Sequence, residues 1–223
     1  MDPVTLALIN NQKGQPNGIA TLNNFGLHNP HQMPSWFGVF PITDRWAFPY
    51  GSPTTFQPEG NRMYGHPVVI MRDCAIKAIA CNVTTAGGAG SVVRLGIYKE
   101  LDRDTESSQN RMMATRVLDA GTVDSSTTGI KTITIEPVVS LTAGVHWLVA
   151  VAQVNTDQRP TLRAVTGFNP SIPAGGFNAT SSTGAVGLTG NTNTVSGALP
   201  ASNTNVQLYI LAPTVPLVAV QFA

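Results

Sequence analysis

The chain has 223 residues, of which 42% are apolar and only 11% are charged, with a formal net charge of +1. A usual soluble protein carries about 25% charged residues, so much of this surface is expected to be covered by other subunits. No basic run or basic-aromatic stripe points to nucleic acid, and no apolar run approaches the ~20 residues of a membrane helix. Met1-Asp2-Pro3 lacks the basic and apolar regions of a signal peptide, which implies synthesis in the cytoplasm.

Charge is also unevenly placed. Arg163 is the last charged side chain, and residues 164–223 contain no Asp, Glu, Lys or Arg. Cys74 and Cys81 are the only cysteines. On one uninterrupted strand they would lie ~23 Å apart on opposite faces, too far for a disulfide. Both read as reduced core residues.

Three textures follow in chain order. Residues 1–67 hold nine of the sixteen prolines and read as an extended attachment arm. Within it, Asp2 to Asn10 suits a short helix, with Asp2 as N-cap and Pro3 at the first helical position. The arm carries the candidate partner-binding side chains Asp2, Leu6, Ile9, Pro16, Ile19 and Leu22. A denser aromatic group follows at Trp36, Phe37, Phe40, Trp46, Phe48, Tyr50 and Phe56, read as anchors to the chain's own domain or to a neighbour; of these, Trp36, Phe37, Trp46, Phe48 and Tyr50 join the candidate partner-binding side chains.

Residues 68–223 read as an antiparallel β-sandwich domain, jelly-roll-like, in short strands punctuated by turns. Ala75 to Val83 is largely apolar on both faces. Gly87, Gly88 and Gly90 mark a flexible hairpin connection. Val93, Leu95 and Ile97 alternate with Arg94, Gly96 and Tyr98, the period of a half-buried strand. Met113 to Leu118 forms a strand ending at a turn over Asp119-Ala120-Gly121. Ile133 and Ile135 share one face, and Leu141-Thr142-Ala143-Gly144 is a turn. Val145 to Val154, around Trp147, is apolar on both faces and therefore central. A long uncharged loop spans residues 166–205, with strands after it at residues 206–210 and 217–222. This loop and the arm offer few large apolar groups to offset the entropy of ordering, so contacts between chains are expected to hold them.

The search for chemistry returns little. No phosphate-loop or nucleophile-elbow pattern occurs. His28 and His31 have metal-like spacing but no recognisable further ligands. His66 and His146 read as packed histidines, and Lys99 to Glu106 as a solvated hairpin tip. The expectation is no catalytic residue, no metal and no cofactor.

Two stretches resemble known proteins. Gln12-Lys13-Gly14-Gln15-Pro16-Asn17-Gly18-Ile19-Ala20-Thr21-Leu22 resembles a segment found near the ends of tailed-bacteriophage fibre and appendage proteins; beyond Leu22 the chain departs from that pattern. The run from Val92 to Tyr98, through Leu118 to Asp124 and Thr128 to Lys131, to Leu141 to Val149 looks like the β-sandwich domains of phage head and tail appendages. The resemblance implies a virion structural protein, assembled as a homotrimer. Its partners would be other virion proteins, at the portal and tail or on the major capsid protein. A tail- or fibre-type appendage or adaptor is the leading reading. A capsid decoration protein (cement or head fibre) and a sugar-binding module recognising a host surface glycan are the alternatives; a depolymerase is disfavoured.

Overall fold

The computed structural model describes residues 39, 41–49, 51–100, 115–153, 158–167, 187–190, 195–202 and 210–223. They form an antiparallel β-sandwich. Its strands are β1 (Trp46–Ala47), β2 (Ser52–Phe56), β3 (Met63–Ile70), β4 (Cys74–Thr85), β5 (Val92–Lys99), β6 (Thr115–Asp124), β7 (Gly129–Leu141), β8 (Gly144–Gln153), β9 (Thr161–Thr166), β10 (Gly187–Thr189), β11 (Ile210–Ala212), β12 (Thr214–Pro216) and β13 (Ala219–Phe222). One sheet has six strands in the order β11-β10-β3-β8-β5-β6. In the other, of seven strands, β4 pairs along one edge with β7 and along the opposite edge with β13 and then β9. Strand β9 carries β2 and β12, while β1 extends β13.

The alternation of side chains explains the main core. Val68 and Ile70 on β3, Val93, Leu95 and Ile97 on β5, and Leu148 and Ala150 on β8 point between the sheets. They meet Ile76, Ile79, Cys81 and Val83 of β4, Leu162 of β9, and Val220 and Phe222 of β13. Ile135 is buried in this core and Ile133 packs against it, as their shared face requires. Strand β8 lies between β3 and β5 and is buried along nearly its whole length. That double burial is why its sequence shows no polar face.

Four sequence expectations need correction. The arm–domain boundary at residues 67/68 falls inside β3, and β1 and β2 already belong to the sandwich. The strand Met63–Ile70 was hidden by Gly65, His66 and Pro67, residues that weaken a strand signal. Pro67 is tolerated because β10 pairs only with Tyr64 and Gly65 on that edge. The loop at residues 166–205 contains a strand, β10, inserted between β3 and β11. Asp119-Ala120-Gly121 does not end β6: a register shift there makes it a bulge, with Gly121 at φ 91°. Lastly, a bulge between Ile76 and Ala78 resets the parity of β4. Cys74 and Cys81 therefore both pack on the inward core rather than on opposite faces, and both are free thiols.

The glycine connection is also more constrained than a free hairpin. Gly87 and Gly88 are buried, and their N–H groups donate to Ser125 O at 2.9 Å and Gln158 O at 2.8 Å. A Cβ on Gly87 would meet Ser91 Oγ and the Pro160 ring, so glycine is required by space.

Candidate functional site

The outer face of the six-stranded sheet carries a second apolar cluster. Met63 of β3, Tyr98 of β5, and Trp147, Val149 and Val151 of β8 project away from the sandwich core. Residues 195–202 lie across this face as a strap, with Val195 and Leu199 buried in the cluster. Trp147 is fully buried here, on the face opposite Leu148 and Ala150.

Polar side chains of the sheet hold the strap by its main chain. Gln153 Nε2 donates to Val195 O at 2.9 Å and to Gly197 O at 2.6 Å. Asp119 Oδ2 accepts the Leu199 N–H at 2.9 Å, and Arg116 Nη1 donates to Leu199 O. The Tyr98 hydroxyl donates to Pro200 O at 2.7 Å. Main-chain bonds run from Val195 N to Asn61 O at 2.9 Å and from Arg116 N to Ala201 O at 3.1 Å.

Asp119 is the hub. Its Oδ1 takes Arg94 Nη1 at 2.8 Å and the Gly121 N–H at 3.1 Å, the latter supplied by the bulge. Arg94 Nε in turn donates to Gln153 Oε1 at 3.3 Å, which orients that amide toward the strap. The side chains of Arg94 and Asp119 are 18% and 16% exposed, so their charges are largely desolvated; losing Asp119 would leave Arg94 without a carboxylate, whereas Asp119 also has Arg116 at 4.0 Å. Burial pushes the Tyr98 phenol well above its ordinary pKa, against the opposing pull of Arg116, which keeps it a hydrogen-bond donor.

Strap docking is energetically near balance. Burying Val195 and Leu199 contributes about 3–6 kcal/mol. The seven hydrogen bonds add about 4–10 kcal/mol net, while ordering eight backbone residues costs about 8–16 kcal/mol.

Nothing in the sequence points directly to this arrangement. Its pattern makes Asp119 a turn residue and places residues 195–202 in the long uncharged loop. The available signal was a pair of large apolar residues, Val195 and Leu199, inside an otherwise small and polar stretch.

The side chains singled out as partner-binding have a different fate. Asp2, Leu6, Ile9, Pro16, Ile19, Leu22, Trp36, Phe37 and Tyr50 lie outside the described residues, as do the suggested helix at residues 2–10 and His28 and His31. Trp46 and Phe48 are described, 40% and 60% exposed, and alternate with buried Ala47 and Pro49. They therefore share the outward face at the β1 edge. Lys77 pairs with Asp44 in the turn preceding β1. His66 and His146 are buried, and Glu100 of the expected solvated tip is buried too. Among the described residues, no group of three or more His, Cys, Asp or Glu could hold a metal ion.

No family model matches the chain, and no curated protein matches it. Among solved structures it is similar to the cysteine protease and lectin-like domains of Cwp84, a surface layer associated protein of Clostridium difficile, with 13% identity and a TM-score of 0.40. That alignment covers 75% of this chain and 35% of the other, so this chain spans about a third of its length.

Proposed function

We propose that the chain is a non-enzymatic structural protein of a tailed-bacteriophage particle. It would be a tail- or fibre-type appendage or adaptor, assembled as a homotrimer and attached through the residues before the sandwich. The observation that carries this reading is an asymmetry between the two outer faces. On the six-stranded sheet, the apolar cluster of β3, β5 and β8 is covered by the chain's own strap. The exposed large apolar side chains of the described residues all belong to the other sheet's margins: Ile42, Trp46 and Phe48 at β1, and Ile130 and Val138 on β7. Apolar groups left uncovered on one side, in a chain of so few charges, suit burial against neighbouring subunits.

Strand order supports the same reading. Taking β2 to β9 alone, the pairings run β2-β9-β4-β7 in one sheet and β3-β8-β5-β6 in the other. This is the order of an eight-stranded jelly roll, an architecture common in viral shells. The two stretches that resemble phage appendage proteins point the same way. Decoration of the capsid would use the same uncovered margins at a different place in the particle. The sugar-binding alternative draws on Trp46 and Phe48, whose exposed rings lie on one face and could stack on a glycan.

Reconstruction of particles purified from the cells that make this chain tests the proposal. The expected result is the sandwich in three-fold multiples at the tail or on its fibres, with the β1 margin against a neighbour. Absence of the chain from those particles would overturn it. A head location would select the decoration reading, and saturable binding on a glycan array, lost in Trp46→Ala, the sugar-binding one.

A further inference from the structure

Two edges of the seven-stranded sheet are open. Among the described residues β1 pairs only with β13 and β7 only with β4, and both strands flank the same stretch of sheet from opposite sides. The register places them at one level. Trp46 pairs with Gln221, Gln221 with Ala78, and Ala78 with Thr134. One step along, Phe222 N donates to Arg45 O at 3.2 Å, Phe222 pairs with Ile76, and Ile76 pairs with Val139. Residues 135–138 fill the irregularity between these two rows. Arg45 and Trp46 on one edge therefore stand level with Glu136 and Val138 on the other, about 14 Å away across three strand spacings.

The two edges are complementary. Each exposes large apolar side chains, Trp46 beside Ile42 and Phe48 on the one and Val138 on the other. Each also carries one exposed charge with no ion-pair partner among the described residues, Arg45 at β1 and Glu136 on β7. These charges are opposite in sign and too far apart to meet within one chain. Joining like edges would set like charges together, whereas joining unlike edges pairs them. Strand direction agrees. β1 is antiparallel to β13, β13 to β4, and β4 to β7, so β1 runs opposite to β7. Rotation about an axis parallel to the strands keeps their directions and brings β1 beside a neighbour's β7 in the antiparallel sense. We infer that the β1 edge of one copy docks on the β7 edge of the next, head to tail, with Trp46 against Val138 and Arg45 against Glu136. Such a heterologous contact uses both edges of every copy and closes as a ring, here of three. The inference rests on the reading of the chain as a homotrimer and names the two surfaces that join it.

Charge reversal in the full-length protein tests it, with assembly read by light scattering. The unaltered protein should be a trimer. Arg45→Glu and Glu136→Arg should each raise the concentration at which it half-dissociates by about tenfold or more, and the chain carrying both should recover most of that loss. Both positions are exposed, so the denaturant midpoint of the separated chains should not move. Trp46→Asp and Val138→Asp each spoil one edge and leave the other. Each chain should be monomeric alone, and native mass spectrometry of the mixture should show dimers of one chain of each kind, held by the single intact junction. A trimer that neither the charge reversals nor Val138→Asp weakens would overturn the inference and leave the homotrimer standing. Loss in both single reversals without recovery in the double would also overturn it, as would dimers of Val138→Asp alone, which would mean that like edges meet. A monomer at every concentration would remove the homotrimer reading and the inference with it.

Discussion

Asp119 Oδ2 accepts the main-chain N–H of Leu199 across 80 residues of sequence, at 2.9 Å. That single bond ties a bulge in β6 to a segment whose composition alone suggests a linker. Asp119→Ala should therefore do two things. It should free the strap, seen as faster exchange at the Leu199 amide, and destabilise the fold by about 3–5 kcal/mol, because Arg94 keeps only its bond to Gln153 and loses its carboxylate. Retention of the unaltered midpoint in urea would mean that the ion pair is not holding this region.

Gly96→Ala should act on the same contact from below. The added methyl has no space between Leu199 and Leu118 O. A loss of about 1–3 kcal/mol is expected from overpacking, together with a red shift of tryptophan emission as Trp147 gains water. Double substitution with Leu199→Ala should recover part of the loss, because it removes one of the two colliding groups.

How much of this was legible beforehand depends on periodicity. The alternation at Val93, Leu95 and Ile97 and the apolar run around Trp147 announced β5 and β8 correctly, since both lie deep in one sheet. Trp147 was expected to be buried and is, but beneath the strap rather than between the sheets. Parity counting failed at Cys74 and Cys81 because a bulge shifts the face in mid-strand, and bulges leave little trace in composition. The strap was illegible for another reason: its stability comes from side chains 42 to 102 residues distant along the chain.

Trp147→Ala should cost about 3–5 kcal/mol as a cavity substitution in the outer cluster. Trp46→Ala and Phe48→Ala, at exposed positions, should change stability by no more than about 0.5 kcal/mol. Under the proposed function they should nonetheless lower incorporation into particles. Denaturant melts and the protein content of purified particles distinguish the two effects.

His146 introduces a pH dependence. Burial, reinforced by nearby Lys99 and opposed by its hydrogen bond to Gly144, lowers its pKa below the ordinary 6.5. A depressed folded-state value means that the unfolded chain takes up the proton first as pH falls. This contribution is fully present above about pH 6.5 and is lost as pH drops toward the folded value. Melting temperatures from pH 7.5 to 5 should fall, and His146→Gln should flatten that slope.

Thiol reactivity offers an independent check of the inner core. Burial pushes the Cys81 thiol up to about 12. At pH 8 its thiolate fraction is then roughly a thousandfold below that of a free cysteine. Cys81 should resist alkylation until the protein unfolds. Modification of native protein at the rate of a free thiol would place Cys81 on the surface.

The most direct test of the account is hydrogen exchange at the main-chain amides of Val195 and Leu199 in the unaltered protein. Both N–H groups are donated, to Asn61 O and to Asp119. The predicted result is exchange at least about tenfold slower than for an unstructured chain, lost at Leu199 in Asp119→Ala. Exchange of both at unstructured rates would contradict the strap and, with it, the covered face on which the functional reading depends.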